Sequence, residues 1–204
     1  MPDVSLAPVA SRAMTWEDYA NLGDEVRGQY IDGQLVMSPS PTRQHQQICQ
    51  RLVTVLSSAV PAGHKVTAGW AWKPGQDEFV PDVMVHPATT ESTRFTGEPA
   101  LIVEVLSSNG GDDLVVKTTK YAAAGLVHYW VVDPRDGVLD TFELAGTTYD
   151  TSWLCPRVER FSASAFARSR STSRRCSAEP IRSRRPPSGW IMNPQAVPFP
   201  WSPE

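Results

Sequence analysis

Two apolar runs, Val80 to Val85 and Leu101 to Leu106, each carry a single carboxylate, Asp82 and Glu104, in stretches otherwise composed for burial. Unbroken runs such as VPDVMV and ALIVEV are what strands covered on both faces look like. An ionised carboxylate buried without a partner carries a large desolvation cost or is forced to neutralise. Two such positions need a shared cation or a shared base, and a divalent metal held between adjacent strands meets that need. The fold must therefore set these two strands side by side and bring positive charge to them.

The rest of the chain is compatible with that requirement. Its 204 residues, 41% of them hydrophobic, suit one domain with a core of ordinary size and a remainder. Residues 1–155 hold 10 Lys and Arg against 19 Asp and Glu, whereas residues 156–204 hold 9 against 3. The acidic body is unlike a tight nonspecific nucleic-acid binder, which relies on Lys and Arg to displace counterions, but it tolerates an acidic, metal-dependent site. Three cysteines, Cys49, Cys155 and Cys176, are far apart with no CxxC spacing, which supports neither a disulfide framework nor a zinc site and reads as reduced thiols. With no signal-peptide pattern and no apolar run of the ~18 residues a span needs, the expectation is a soluble, cytoplasmic protein without a membrane partner.

Local signals divide the chain. Residues 1–13 read as a loose arm. Thr15 opens a short helix in TWEDYANLG as its N-cap, with Asp18 at capping-box spacing and Gly23 as a stop. Asp32-Gly33 between β-prone residues marks a hairpin over 28–37. From Thr42 to Val60, Ile48, Leu52, Val55, Leu56 and Ala59 recur at helical spacing, and Pro61 and Gly63 end the helix. His64 to Lys73 alternates as one half-buried strand, with Val66, Ala68, Trp70 and Trp72 on one face. After the two carboxylate-bearing strands, joined by a polar loop over 87–99, a helix runs from Asp112 to Ala124 and is stopped by Gly125. A strand over 127–132 and a closing antiparallel pair follow. The sum is an α/β or α+β mixed sheet flanked by helices, with an N-terminal helix and hairpin. From Pro156 the sequence turns rich in Ser, Arg and Pro without apolar period, which suits a disordered tail or a change of reading frame near residue 155.

The chemistry gathers around Pro81-Asp82, then Glu104-Val105-Leu106, then Asp113, Lys117 and Tyr121. The last three are four apart and share one helix face. If that helix packs across the ends of the two strands, Asp82, Glu104 and Lys117 converge. Phosphodiester hydrolysis asks for a metal that polarises the phosphoryl oxygen and acidifies an attacking water, with a cation or base near the nucleophile. Magnesium suits one or two carboxylates with retained waters.

At these residues the sequence resembles the Uma-two family, formerly listed as a domain of unknown function, within the PD-(D/E)XK nuclease superfamily. The resemblance covers about residues 14–149: TWEDY, YIDGQLVMSPSP with His45 soon after, Pro81-Asp82, EVLS from Glu104, the Asp113, Lys117, Tyr121 spacing, and Gly125 before YWVVDP. It implies a restriction-endonuclease-like fold and an Mg²⁺- or Mn²⁺-dependent endonuclease acting on DNA, as a monomer or a homodimer. Asp82 and Glu104 become the metal ligands and Lys117 the catalytic cation, with Asp113, Tyr121, His45 and Gln29 in support. The superfamily's lysine two residues after the acid is absent, since Leu106 stands there; Lys117 takes its place, and Lys120, about 60° off the Asp113 and Tyr121 face, ranks second. Gln29 occupies a position where the family has an acid.

Each residue also has a plainer role. Glu104 and Lys117 suit a buried structural ion pair, Asp113 an N-cap, Tyr121 a packed ring with its hydroxyl near the site, and His45 an exposed or capping position. Trp70, Trp72 and Trp130 suit core positions better than a base-stacking platform. The competing function is a nuclease-fold module that no longer cuts and serves in binding or assembly. A hydrolase built on Ser107 or Ser108 lacks a nucleophile-elbow pattern.

Overall fold

The structure is a computed structural model that describes residues 11–22, 26–107 and 111–150, the side chains of 111–113 and 150 excepted. The N-terminal arm is ordered at its end: β1 (Ser11–Ala13) pairs with β3 (Gln34–Met37), which corrects the expectation of a loose arm through residue 13. α1 (Trp16–Ala20) follows, capped by Thr15, whose hydroxyl accepts from the Asp18 N–H; it ends before Gly23, which lies outside the described residues. β2 (Gly28–Ile31) and β3 form the expected hairpin. Asp32 and Gly33 hold φ of 51° and 74°, the left-handed pair that a two-residue turn of this twist requires.

The main sheet has six strands in the order β11 (Thr148–Asp150), β10 (Val138–Ala145), β9 (His128–Asp133), β8 (Leu101–Val105), β6 (Val83–Pro87) and β4 (His64–Ala68). All neighbours are antiparallel except β8 and β9, and the crossover their parallel pairing demands is α3 (Gly111–Ala123). α2 (Arg43–Ala59) covers the opposite face. Strand alternation sorts the core into two layers. Val83, Val85, Leu101, Val103, Val105, Trp130 and Val132 meet Ile48, Cys49, Leu52 and Leu56 of α2. Met84, Ile102, Tyr129 and Val131 meet Ile31 of the hairpin, Phe79, and Tyr121 and Leu126 at the end of α3 and after it. Both layers explain why β6 and β8 are almost wholly apolar, with His86 and Glu104 the polar exceptions: each side chain meets a covered face.

The expected single strand from His64 to Lys73 is two. It breaks at Gly69, φ 61°, whose N–H reaches the carbonyls of Pro81 and Asp82 at 3.2 and 3.3 Å. Beyond the break, β5 (Ala71–Trp72) pairs in parallel with β7 (Arg94–Phe95), a strand inside the stretch expected to be only loop. Val66 therefore packs on the α2 layer, whereas Trp70 and Trp72 pack on the other. Among the described residues no helix is long and apolar enough to cross a membrane. The tail at 156–204, with Cys155 and Cys176, lies outside the described residues.

Candidate active site

Asp82 is not in a strand, contrary to the reading of Val80 to Val85 as one; it directly precedes β6. The register pairs Val83 with Val103, and Asp82 and Glu104, the latter next to last in β8, each lie one residue beyond that last pair. The Glu104 carboxyl feels the Asp82 charge, so the two acids lie near one another at this end of the sheet. Gly69 and Val105 fix Asp82 from both sides: Gly69 holds its carbonyl, and the Val105 N–H donates to its Oδ2 at 2.8 Å.

Each acid answers to a different helix. Glu104 alternates onto the α3 side, where Lys117 donates to both of its oxygens at 3.2 Å and the Tyr121 hydroxyl to Oε1 at 2.7 Å. Glu104 and Lys117 are each 6% exposed, and Tyr121 is fully enclosed by Trp72, Phe79 and Tyr129. Burial pushes the Glu104 carboxyl up to about 7; the Lys117 ammonium pulls it back, and the Asp82 charge adds to the rise. Asp82 instead meets α2. His45 Nε2 lies 3.1 Å from Asp82 Oδ2, and the hydrogen bond to Asp82, helped by one to Cys49, holds the imidazole protonated up to about 10 against the opposing effect of burial. His45 is placed there by its helix, since its own N–H donates to the Thr42 cap.

Of the expected site residues, Asp82, Glu104, Lys117, Tyr121 and His45 come together. His45 is half-buried and paired rather than merely exposed or capping. Asp113 lies in the first turn of α3, and its side chain is outside the described residues. Gln29 is buried and accepts the Val80 N–H at 3.1 Å through Oε1, which braces the segment leading to Asp82. Lys120 is not a rival to Lys117: it clasps Asp32 of the hairpin turn and Asp77, the latter at 2.8 Å. Cys49 was missed as a site residue; its Sγ lies 3.6 Å from His45 Nδ1, and the i, i+4 spacing on a helix was the available signal.

The donor set fits a divalent cation. Two neighbouring carboxylates already demand positive charge from both sides. Both contacts of Asp82 fall on Oδ2, so Oδ1 has no hydrogen-bond partner among the described residues, and the side chain is 23% exposed. Asp82 and Glu104 are the residues that would hold the ion.

A family described as "Putative restriction endonuclease" (Uma2) matches residues 16–173. A crystal structure described as a "putative nuclease belonging to DUF820" from Anabaena variabilis ATCC 29413 is similar at 21% identity, over 64% of this chain and 80% of that one, with a TM-score of 0.57. At that identity the likeness speaks for the fold, a mixed sheet flanked by helices. No curated protein matches the chain. The family match, in contrast, spans more than half of the 204 residues and takes in every residue of the Asp82 and Glu104 cluster, so the chain belongs to the Uma2 family.

Proposed function

We propose that the chain is a metal-dependent nuclease that hydrolyses DNA phosphodiester bonds, with Asp82 and Glu104 as ligands of Mg²⁺ or Mn²⁺. The observation that carries this reading is the pairing at one end of β6 and β8: two carboxylates, one with an oxygen that has no hydrogen-bond partner among the described residues, beside a buried lysine. When bound, the metal would polarise a phosphoryl oxygen and lower the pKa of the attacking water. The protein's own groups supply position and charge. Lys117, fixed by both oxygens of Glu104, holds an ammonium where negative charge builds up on the phosphoryl group. Tyr121 sets the Glu104 carboxylate orientation, and Val105 N–H and His45 set that of Asp82. A reducing cytoplasm, which keeps Cys49 a thiol, belongs to the same reading.

The test is calorimetric titration of wild type and Asp82→Ala with Mg²⁺ or Mn²⁺, alongside nicking of supercoiled DNA. Binding and nicking both vanish in Asp82→Ala. In Lys117→Met, nicking falls by at least about 100-fold while metal binding persists, as for loss of one preorganised electrostatic group. A wild type that binds no metal would sink the proposal. The second reading, a module that binds or assembles without cutting, would then lead; it is favoured by Gln29 in place of the family's acid and by the counterion each carboxylate already has.

A further inference from the structure

We infer that His45, Cys49 and Asp82 form a site for a thiophilic divalent metal, zinc foremost, on the α2 side of the paired carboxylates. His45 and Cys49 stand one turn apart on the same face of α2, and Asp82 comes to them from the chain entering β6. His45 lies between the other two, Nε2 at 3.1 Å from Asp82 Oδ2 and Nδ1 at 3.6 Å from Cys49 Sγ. One ligand atom from each of the three residues falls within 4.8 Å of the others.

Zinc bound by nitrogen and oxygen at about 2.0–2.2 Å in a tetrahedron keeps those ligands roughly 3.3 Å apart. The imidazole Nε2 and the carboxylate are already near that spacing, whereas the thiol faces Nδ1, so the imidazole turns to offer a single nitrogen to an ion held by all three residues, whose ligand atoms lie within 4.8 Å of one another. The donor types make the choice of metal: a thiolate and an imidazole select zinc or cobalt, whereas magnesium asks for oxygen. Three protein ligands leave a fourth position open, as in zinc sites that exchange a bound water or substrate. As the metal–sulfur bond forms, the Cys49 thiol gives its proton to solvent, and the imidazolium loses the proton it shares with Asp82. Cys49 is 7% exposed, so the ion enters past the Asp82 and His45 side chains, which are 23% and 15% exposed.

Glu104 is outside this ligand group, so the zinc site does not depend on the catalytic reading. Its consequence for the enzyme does rest on that reading: zinc and magnesium share Asp82, so zinc displaces magnesium and stops cleavage.

Cobalt is the probe. The full chain carrying Cys155→Ser and Cys176→Ser, so that Cys49 is its one thiol, is titrated with Co²⁺ and then with Zn²⁺. The expected spectrum has a strong thiolate-to-cobalt band in the near ultraviolet, removed by stoichiometric zinc. Adding Cys49→Ser abolishes the band and weakens zinc binding by at least about 100-fold, beyond the effect of losing an outer-shell partner. His45→Gln does the same, which covers the case of a Cys49 variant that fails to fold, and Glu104→Gln leaves the band in place. A cobalt spectrum without the thiolate band, or equal zinc affinity with and without Cys49, overturns the site. The band together with failure to nick DNA in magnesium upholds the zinc site and removes the nuclease reading alone.

Discussion

Glu104 sits among apolar side chains with one full counter-charge, so the two members of its ion pair have unequal value. Removing the lysine leaves a buried carboxylate without its cation. Lys117→Met is expected to cost about 3–5 kcal/mol in urea denaturation, and the double variant Glu104→Leu with Lys117→Met to recover much of it, because an apolar pair of similar volume replaces the buried ions. The same burial sets a pH dependence. Glu104 rises from 4.5 to about 7, so between these values the folded protein keeps a proton that the unfolded chain has released, and metal-free stability falls as pH climbs across the window. His45 rises from 6.5 to about 10, so its stabilisation, complete below 6.5, is lost as pH climbs through 10. Thermal unfolding from pH 5 to 10 should show both declines, the first missing in Glu104→Gln and the second in His45→Gln. Glu104 stood out in the sequence because a charge inside LIVEV needs a partner, whether a metal or a buried ion pair. Cys49 did not, because a cysteine one turn after a histidine looks like a core residue until Asp82 is placed beside them.

At the level of elements, what could be read was what is decided locally. Thr15 caps the helix it precedes, and Asp32-Gly33 turns the hairpin, because each acts within three or four residues of itself. The break between β4 and β5 was not legible: the alternation of Val66, Ala68, Trp70 and Trp72 continues through it, and only the tertiary bond from Gly69 to the Pro81 and Asp82 carbonyls makes the chain turn there. That break matters to the site, since it anchors the backbone of a proposed ligand. Gly69→Ala, which forces a side chain into φ 61°, is expected to cost about 1–2 kcal/mol in denaturant unfolding. It should also weaken Mg²⁺ binding measured by calorimetry, while a substitution at exposed Thr89 leaves binding as it was.

Among the described residues, both core layers lie within residues 31 to 149, from Ile31 through Leu139 to the partly buried Phe142 and Tyr149. A chain ending at Cys155 is therefore expected to melt within a few degrees of the full one by circular dichroism, and a loss of cooperative melting would show that the later residues belong to the folded unit. Fold class was readable at this scale because strand runs, a parallel crossover and two amphipathic helices admit few arrangements. The division of the acids was not, since it depends on which sheet face each helix covers: Asp82 is held from α2 and Glu104 from α3, on opposite sides of one sheet. An ion shared by the two carboxylates would thus act as a rivet through the sheet. Amide hydrogen exchange in saturating Mg²⁺ should slow on α2 and α3 together, two helices whose described residues belong to different core layers, and in Asp82→Ala on neither.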